Sequence, residues 1–145
     1  IFIFVGSGND EEKLHQEASM KGLKSYCRFM GYLPDAECDH FYANTNLLIF
    51  PTYDTEGFAM ALFKSVSAGL PVLTTKIRAA KDYLQEPDNL LWIKEKDPAC
   101  IAGAVNRMIA EKELLHNMSA NNRRLGEKFS SENVANLMTG IFESV

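Results

Sequence analysis

Short apolar runs alternate along the chain with segments whose apolar residues recur at helical spacing. The runs predict five strands, over residues 1–5, 26–30, 47–50, 71–75 and 90–93. Helical spacing and capping residues predict helices over 10–20, 35–43, 57–68, 79–84, 98–110, 111–129 and 131–145. Because short apolar strands and helices alternate in this way, the pattern is typical of an α/β domain with a mostly parallel sheet.

Several of these elements carry more detailed expectations. Asn9 or Asp10 is expected to cap the first helix, and Asp97 followed by a proline is expected to cap the helix that starts at 98. The first run is continuously apolar, so we expect a fully buried strand there. Trp92 is expected in the core or on the wall beneath the helix over 98–110. The charged run over 94–97 is expected to be a solvated connection.

Composition is ordinary for a soluble globular protein, with 46% hydrophobic and 23% charged residues among 145. The net charge of −4 argues against a nucleic-acid partner, because phosphate backbones attract basic surfaces. Cys27, Cys38 and Cys100 are scattered without Cys/His ligand spacing, so we expect neither a metal site nor a disulfide framework. Reduced thiols in the cytoplasm are the simplest interpretation.

Candidate chemistry is sought after each strand, because ligands of open parallel sheets bind beyond the carboxyl ends of the strands. The first strand is followed by Gly6-Ser7-Gly8. This turn lacks the third glycine of a dinucleotide fingerprint, since Glu11 occupies that place. Two interpretations stay open for Gly6 and Gly8: a tight turn from strand to helix, or a backbone that lets a ligand approach closely.

The strongest local signal is the segment 52–58, here named the acidic loop, which follows the third strand and opens a helix. Gly57 leaves backbone N–H groups accessible at the helix N-terminus, which attracts anions such as phosphate. Glu56 suits a neutral sugar, because its carboxylate accepts hydrogen bonds from hydroxyl groups. Phosphate beside sugar is what a nucleotide-sugar presents. Asp54 and Glu56 are explained equally well as residues that stabilise the helix dipole.

The segment 50–72 reads FPTYDTEGFAMALFKSVSAGLPV and resembles the signature of the group-one glycosyltransferases. These retaining enzymes share a proline-ended strand, an EGFG-like loop, a helix with a second Glu, and an A-x-G-x-P-V turn. Residues 4–8 and 28–33 fit the same family, and the resemblance covers nearly the whole chain. It implies the C-terminal, donor-binding half of a GT-B fold, a Rossmann-like three-layer sandwich, with its first strand unit absent.

The resemblance also implies roles for individual residues. Glu56 is expected to contact the donor sugar and is the catalytic candidate. The other donor-binding candidates are Gly6, Gly8, Phe29, Met30, Gly57, Phe58, Ala59, Lys64 and Arg78. Backbone amides of 57–59 are expected to approach the sugar and distal phosphate. The backbone at 29–30 is expected to lie beside the nucleotide base. The donor is expected to be a UDP- or GDP-hexose, and neither a metal nor another cofactor is expected.

Two positions depart from the family pattern, and a third is ambiguous. Lys64 replaces the second Glu, which accepts hydrogen bonds from ribose hydroxyls, whereas a lysine only donates. Its side chain either reaches a phosphate or is solvated. Ala59 replaces the second loop glycine, which is tolerated if the backbone there is helical. Arg78 either faces the donor phosphates or the acceptor, or it pairs with Asp82 or Glu86.

Parts of the implied enzyme lie outside the 145 residues. The family's phosphate-binding Arg and Lys lie before residue 1, as does the acceptor domain, so the isolated chain is expected to be inactive. The sheet edge left by the absent strand predicts some homodimer formation. The whole enzyme is expected to serve polysaccharide or glycoconjugate synthesis, with contact at the inner membrane face left open. Lys64 also supports a second interpretation, in which the chain is a non-catalytic glycosyltransferase-like subunit that binds or stabilises a partner.

Overall fold

The structure, a computed structural model, describes residues 1–53 and 57–143. The strands are β1 (Phe2–Phe4), β2 (Cys27–Phe29), β3 (Leu48–Phe50), β4 (Val72–Thr74) and β5 (Leu90–Trp92). The helices are α1 (Glu11–Met20), α2 (Asp35–Asn44), α3 (Met60–Ser67), α4 (Arg78–Tyr83), α5 (Pro98–Ala110), α6 (Lys112–Lys128) and α7 (Ser131–Glu143). Every predicted strand and helix is present, and the strands and helices alternate as predicted.

The strands form two parallel sheets, which confirms the predicted α/β class with parallel pairing. β1 pairs with β2, and β4 lies between β3 and β5 in the second sheet. The chain divides into two compact units, over Ile1–Phe41 and Tyr42–Val145. Each unit holds one of the two sheets.

The second unit has three layers, because its sheet is covered on both faces. Successive residues of β4 and β5 alternate between two core clusters, as the pleat of a strand requires. Val72 and Leu90 belong to the cluster that contains residues of α3 and α4. Leu73 and Leu91 belong to the cluster against which α5 packs. This arrangement confirms the predicted layer architecture.

Helix α6 contributes to both of these clusters. Met118 is buried in the cluster on the α5 side, and Leu125 packs against the cluster on the α3 side. Asn122 lies between these two residues in sequence and is fully buried. Farther along, a Cβ at Gly126 would lie 2.4 Å from the Cα of Ser67, so α6 and α3 are in backbone contact there. One helix thus helps to bury both faces of the sheet.

Trp92 is half-buried and packs on the α3 side of β5. Of the two positions expected for Trp92, contact with the core is confirmed, and a place beneath the helix over 98–110 is not. The reason is the pleat, since Leu91 and Ile93 are the residues of this segment that face α5.

The first unit buries little. Ala18 is the one apolar residue of 1–41 in its buried core, while Phe2 and Phe4 are 49% and 43% exposed. The prediction of a fully buried first strand is therefore wrong. A two-stranded sheet in a unit of this size lacks the surface to cover both of its faces. The predicted cap of α1 also fails, because Asp10 occupies the N-cap position without a side-chain hydrogen bond.

Helix α7 contacts α6 but buries none of its residues. Its apolar stripe, which includes Leu137, Ile141 and Phe142, is exposed. Within the described ranges, no helix combines the length and the apolar character that a membrane span requires.

Candidate functional site

The carboxyl edge of the β3–β4–β5 sheet is held together by two consecutive threonines at the end of β4. The hydroxyl of Thr74 donates to the carbonyl of Phe50 at 2.9 Å, and the hydroxyl of Thr75 donates to the carbonyl of Thr52. Both threonines are fully buried. They fix the path of the chain where it leaves β3 and enters the acidic loop.

A third contact reaches the same segment from the connection after β5. The ammonium of Lys96 lies 4.4 Å from the centroid of the Tyr53 ring, within range of a cation–π interaction. Asp97 accepts a hydrogen bond from the backbone N–H of Cys100, and the N–H of Lys94 donates to the Cys100 sulfur. The predicted cap of α5 is thus confirmed. Residues 94–96 are exposed, as expected for a solvated connection, and the contact of Lys96 with Tyr53 is an addition to that expectation.

The N-terminus of α3 lies three residues later than predicted. The helix begins at Met60 rather than at Gly57, and Ala59 occupies the N-cap position. The carbonyl of Ala59 accepts from the N–H groups of Leu62 and Phe63, at 3.0 and 3.2 Å. Because glycine is a poor helix former, Gly57 does not extend the helix, and the first helical amides belong to Met60 and its successors.

Ala59 is accommodated for a reason that differs from the expected one. Its ψ of 85° is not helical, but its φ of −67° is open to any residue. The methyl group is buried in the cluster on the α3 side of the sheet. Gly57 is exposed, and a Cβ at this position would have no atom of the described residues within 4 Å. Among the described residues, nothing therefore blocks the side of Gly57 on which a Cβ would lie.

Phe58 belongs to an aromatic cluster. Its ring stacks on Phe63 with a centroid distance of 4.3 Å and meets Tyr83 edge-on at 6.4 Å. Phe63 is buried, whereas Phe58 and Tyr83 are about half exposed. The cluster holds Phe58 in place next to Gly57 and joins α3 to α4.

The two candidate cations of this unit occupy different positions. Lys64 is half-buried in the last turn of α3. Arg78 is exposed at the first position of α4, four residues after β4 ends at Thr74. Among the described side chains, no ion pair joins Arg78 to Asp82 or Glu86, and Glu86 instead accepts from the N–H of Trp92. Glu56, the catalytic candidate, lies outside the described residues, as does Asp54.

The remaining candidates, in the first unit, meet at the carboxyl edge of the β1–β2 sheet. The N–H of Met30 donates to the Phe4 carbonyl at 2.9 Å, and the N–H of Gly6 donates to the Gly31 carbonyl at 2.7 Å. Gly6 has a φ of 129°, a conformation that requires glycine. Gly8 accepts from the N–H of Glu11 at the start of α1. The structure thus brings the loops after β1 and β2 together.

The ring of Phe29 is half-buried and packs against two other rings of this unit. It stacks on Phe4 at 4.8 Å and contacts His15 at 4.1 Å. The resemblance implies that the backbone of Phe29, rather than its ring, lies beside the base of the donor. The ring contacts therefore do not bear on that expectation. A cavity of about 420 Å³ lies beside the same ring. Its lining reaches to Lys24 and Cys27 at the amino end of β2, away from the carboxyl edge.

Sequence reasoning overlooked Lys96, Tyr53 and the paired threonines. Consecutive threonines at the end of an apolar strand are a signal for hydroxyls that bridge to the neighbouring strand. Lys96 has no comparable signal, because its contact joins two residues that are far apart in the sequence. In the described part of the chain, no group of three or more potential ligands from His, Cys, Asp and Glu could hold a metal ion.

Comparison with known proteins adds a family to this geometry. The sequence profile of the family described as "Glycosyl transferases group 1" matches residues 1–125. The chain is 30% identical over 93 residues to the capsular polysaccharide biosynthesis glycosyltransferase CapM of Staphylococcus aureus, covering 63% of this chain and 24% of that protein. It is 24% identical over 143 residues to the phosphatidyl-myo-inositol mannosyltransferase of Mycobacterium leprae, covering 99% of this chain and 37% of that protein.

The fold also matches solved structures. Anabaena Alr3699/HepE in complex with UDP superposes with a TM-score of 0.84 at 18% identity, over 99% of this chain and 40% of that one. The same protein has been solved in complex with UDP-glucose and superposes with a TM-score of 0.82. The chain spans between about a quarter and two-fifths of the length of these three proteins.

Proposed function

The chain belongs to the group 1 glycosyl transferases, and from this premise we propose that it forms the donor-binding part of an enzyme that transfers a sugar from a nucleotide-sugar. The donor is a UDP- or GDP-hexose, and transfer retains the configuration of the sugar without a metal or other cofactor. The protein acts in polysaccharide or glycoconjugate synthesis. In this proposal it works in the cytoplasm, a reducing compartment that keeps free cysteines such as its own reduced.

One observation carries this proposal: the acidic loop leads to an exposed glycine and the N-terminus of α3 at the carboxyl edge of a parallel sheet. This edge is where open α/β sheets bind their ligands. A Cβ at Gly57 would meet no atom of the described residues within 4 Å, and α3 begins three residues later. A phosphate accepts hydrogen bonds from amides at such a helix N-terminus, while hydroxyls of the adjoining sugar donate to the Glu56 carboxylate.

The proposed reaction breaks the bond between the anomeric carbon and the distal phosphate oxygen, and the sugar passes to an acceptor oxygen. Negative charge grows on the departing diphosphate, so positive charge and N–H donors in the site lower the barrier. Arg78 is exposed at the start of α4, in the connection that follows the carboxyl end of β4, and in this proposal it supplies such a charge. The complexes of Anabaena Alr3699/HepE with UDP and UDP-glucose support a uridine donor over a guanosine donor.

Isothermal titration of the full-length protein with UDP, GDP and their hexose conjugates tests the proposal. One conjugate is expected to bind, and Glu56→Ala is expected to weaken its affinity by about tenfold or more, as for loss of a charged hydrogen-bond acceptor. Glu113→Ala, an exposed carboxylate on α6, serves as the matched control and is expected to bind like the parent. Equal affinities in the Glu56→Ala and Glu113→Ala variants would contradict the role of Glu56.

Lys64 favours a second candidate function, a glycosyltransferase-like subunit that binds a partner and transfers no sugar. The family's carboxylate at this position accepts from ribose hydroxyls, and lysine has no acceptor. The titration separates the two candidates when Lys64→Glu is included. A parent that binds no conjugate, together with a Lys64→Glu variant that does, would indicate a protein that has lost its donor site.

A further inference from the structure

The cavity beside Phe29 is lined by residues of α1, of β2 and of the turn that joins them, and we name it the α1 cavity. It lies wholly within the unit over Ile1–Phe41. Its volume of about 420 Å³ is in the range of pockets that hold small molecules. Neither of the loops that follow β1 and β2 lines it, so it is a candidate site separate from the carboxyl edge of that sheet.

One face of α1 lines the cavity with hydrogen-bonding side chains. The four polar residues of this face recur at helical spacing, and they are Glu12, His15, Gln16 and Ser19. The face is turned toward β2, as the contact of the His15 ring with Phe29 at 4.1 Å shows. A helix face turned toward a strand is normally apolar, because that is how a helix contributes to a core. This face is polar instead, which suits a polar ligand better than packing.

The polar side chains around the cavity make few bonds with one another. Gln16 donates to Glu12 at 3.4 Å, which is longer than the usual range of about 2.7–3.2 Å. Within the described residues, the Ser19 hydroxyl and the Lys24 ammonium have no hydrogen-bond or ion-pair partner. A ligand that enters the cavity therefore replaces water and one long hydrogen bond.

The charges around the cavity favour a neutral ligand. Glu12 is negative and Lys24 is positive, so an ion of either sign meets a like charge. The carboxylate accepts hydrogen bonds, the ammonium donates them and the Gln16 amide does both, which matches a ligand rich in hydroxyl groups. The other lining residues, Ala18, Cys27 and Phe29, offer apolar surface to C–H groups. Hydroxyl groups on a C–H framework are the chemistry of a neutral sugar.

We propose that the α1 cavity binds neutral sugar residues of the glycan that the enzyme extends, so that the glycan stays with the enzyme between rounds of transfer. The class of ligand is argued from the cavity alone. The glycan as the source of those sugar residues rests on the proposed function, because it is the product of sugar transfer.

The test is an NMR titration of the full-length protein with maltose, cellobiose, lactose and mannobiose. At least one of these disaccharides is expected to bind with a Kd on the order of 1 mM, as for a few neutral hydrogen bonds in an open site. Amides of α1, β2 and the turn between them are expected to shift, while those of β4 stay unchanged. The nucleotide-sugar that the parent binds is expected not to displace the disaccharide.

Variants assign the binding to the cavity. Gln16→Ala and Lys24→Ala are each expected to weaken the disaccharide affinity about threefold to tenfold, since each removes hydrogen-bonding groups. Ser19→Trp places a large ring in the cavity from an exposed position and is expected to weaken the affinity more than tenfold. Lys13→Ala is the matched control, because Lys13 is an exposed lysine of α1 that does not line the cavity. It is expected to bind like the parent.

Hydrogen exchange supplies a readout besides affinity. At a disaccharide concentration ten times the Kd, amides of β1 and β2 are expected to exchange about tenfold more slowly, because the ligand binds the closed form of their unit. Amides of β4, in the other unit, are expected to keep their rates.

Each remaining outcome decides one question. A parent that binds a nucleotide-sugar but none of the disaccharides overturns the inference alone. Disaccharide binding that survives Ser19→Trp, or that the nucleotide-sugar displaces, overturns it as well, because the sugar then lies elsewhere. Tighter binding of free glutamine, a zwitterion, than of any disaccharide overturns the neutral class of ligand. A parent that binds a disaccharide in the cavity but no nucleotide-sugar overturns the proposed function and supports the sugar site.

Discussion

Asn122 satisfies three buried polar groups at once, at the amino ends of β4 and β5. Its amide nitrogen donates to the carbonyls of Leu70 and Asn89, at 2.6 and 2.9 Å. Its amide oxygen accepts from the side chain of Asn89 at 2.9 Å. Because all three partners lie where water is excluded, the bonds hold two strand entries and α6 in one arrangement.

We expect Asn122→Ala to lower the free energy of unfolding by about 2–4 kcal/mol, because it leaves two carbonyls and one amide unsatisfied in the interior. Urea denaturation followed by circular dichroism measures this change. Asn121→Ala is the neighbouring control, since its side chain makes one exposed bond of 3.3 Å to the Asp88 carbonyl. Its cost is expected to stay below about 1 kcal/mol. Equal costs for the two variants would contradict the role of Asn122.

At the scale of residues, the sequence predicted what depends on local chemistry and missed what depends on tertiary contact. The cap at Asp97 followed from its own side chain and the proline after it. The hydrogen bonds of Asn122 join residues more than 30 positions apart, and no local sequence pattern predicts them. The contact of Lys96 with Tyr53 was hidden in the same way. Glu56 stays a prediction.

At the scale of elements, the crossing of α3 and α6 depends on Gly126. A Cβ there would lie 2.4 Å from the Cα of Ser67 and 3.2 Å from its carbonyl oxygen. Both atoms belong to the backbone, so they cannot move aside as a flexible side chain would. Any larger residue at 126 forces the two helices apart.

Gly126→Ala is therefore expected to destabilise the protein by about 1–3 kcal/mol, as overpacked interiors do. Gly103→Ala on α5 is expected to act in the opposite direction, since nothing in the described residues lies within 4 Å of its Cβ position. Alanine favours a helix interior over glycine by roughly 0.5–1 kcal/mol. Thermal melts of both variants test the pair, and a stabilised Gly126→Ala protein would contradict the close contact.

Element types and order followed from the sequence, whereas burial did not. Periodicity fixes whether a segment is a strand or a helix, and alternation of the two predicts parallel pairing. Burial of β1 depends on what covers it, and the apolar run over 1–5 carries no information about that. The start of α3 at Met60 also differs from the predicted start at Gly57, because glycine is a poor helix former and apolar spacing does not mark the first residue of a helix.

At the scale of the whole molecule, the two units differ in how much they bury. Nearly all buried apolar residues belong to the unit over Tyr42–Val145, and Ala18 is the buried apolar residue of the unit over Ile1–Phe41. Hydrophobic burial is the main source of folding stability, so the units are expected to open at different free energies.

Hydrogen exchange measures this difference. Amides of β4, whose three residues are all buried, are expected to exchange at the slowest rates in the chain. Amides of β1 and β2 are expected to exchange orders of magnitude faster at the same pH and temperature. Uniform protection across both units would show that they unfold as one. Limited proteolysis in urea, at half the midpoint concentration of unfolding, makes the same comparison.

The two edges of the β3–β4–β5 sheet also bear on how readily such a protein diversifies. Asn122 and Asn89 fix the amino edge, while Gly57, Arg78 and Lys96, in the connections at the carboxyl edge, are exposed. Mutations at such exposed positions leave the main sources of stability intact. Variants that bind new ligands can therefore evolve there while the protein stays folded. A library randomised at the exposed connections should retain mostly folded members, whereas one randomised around Asn122 should not.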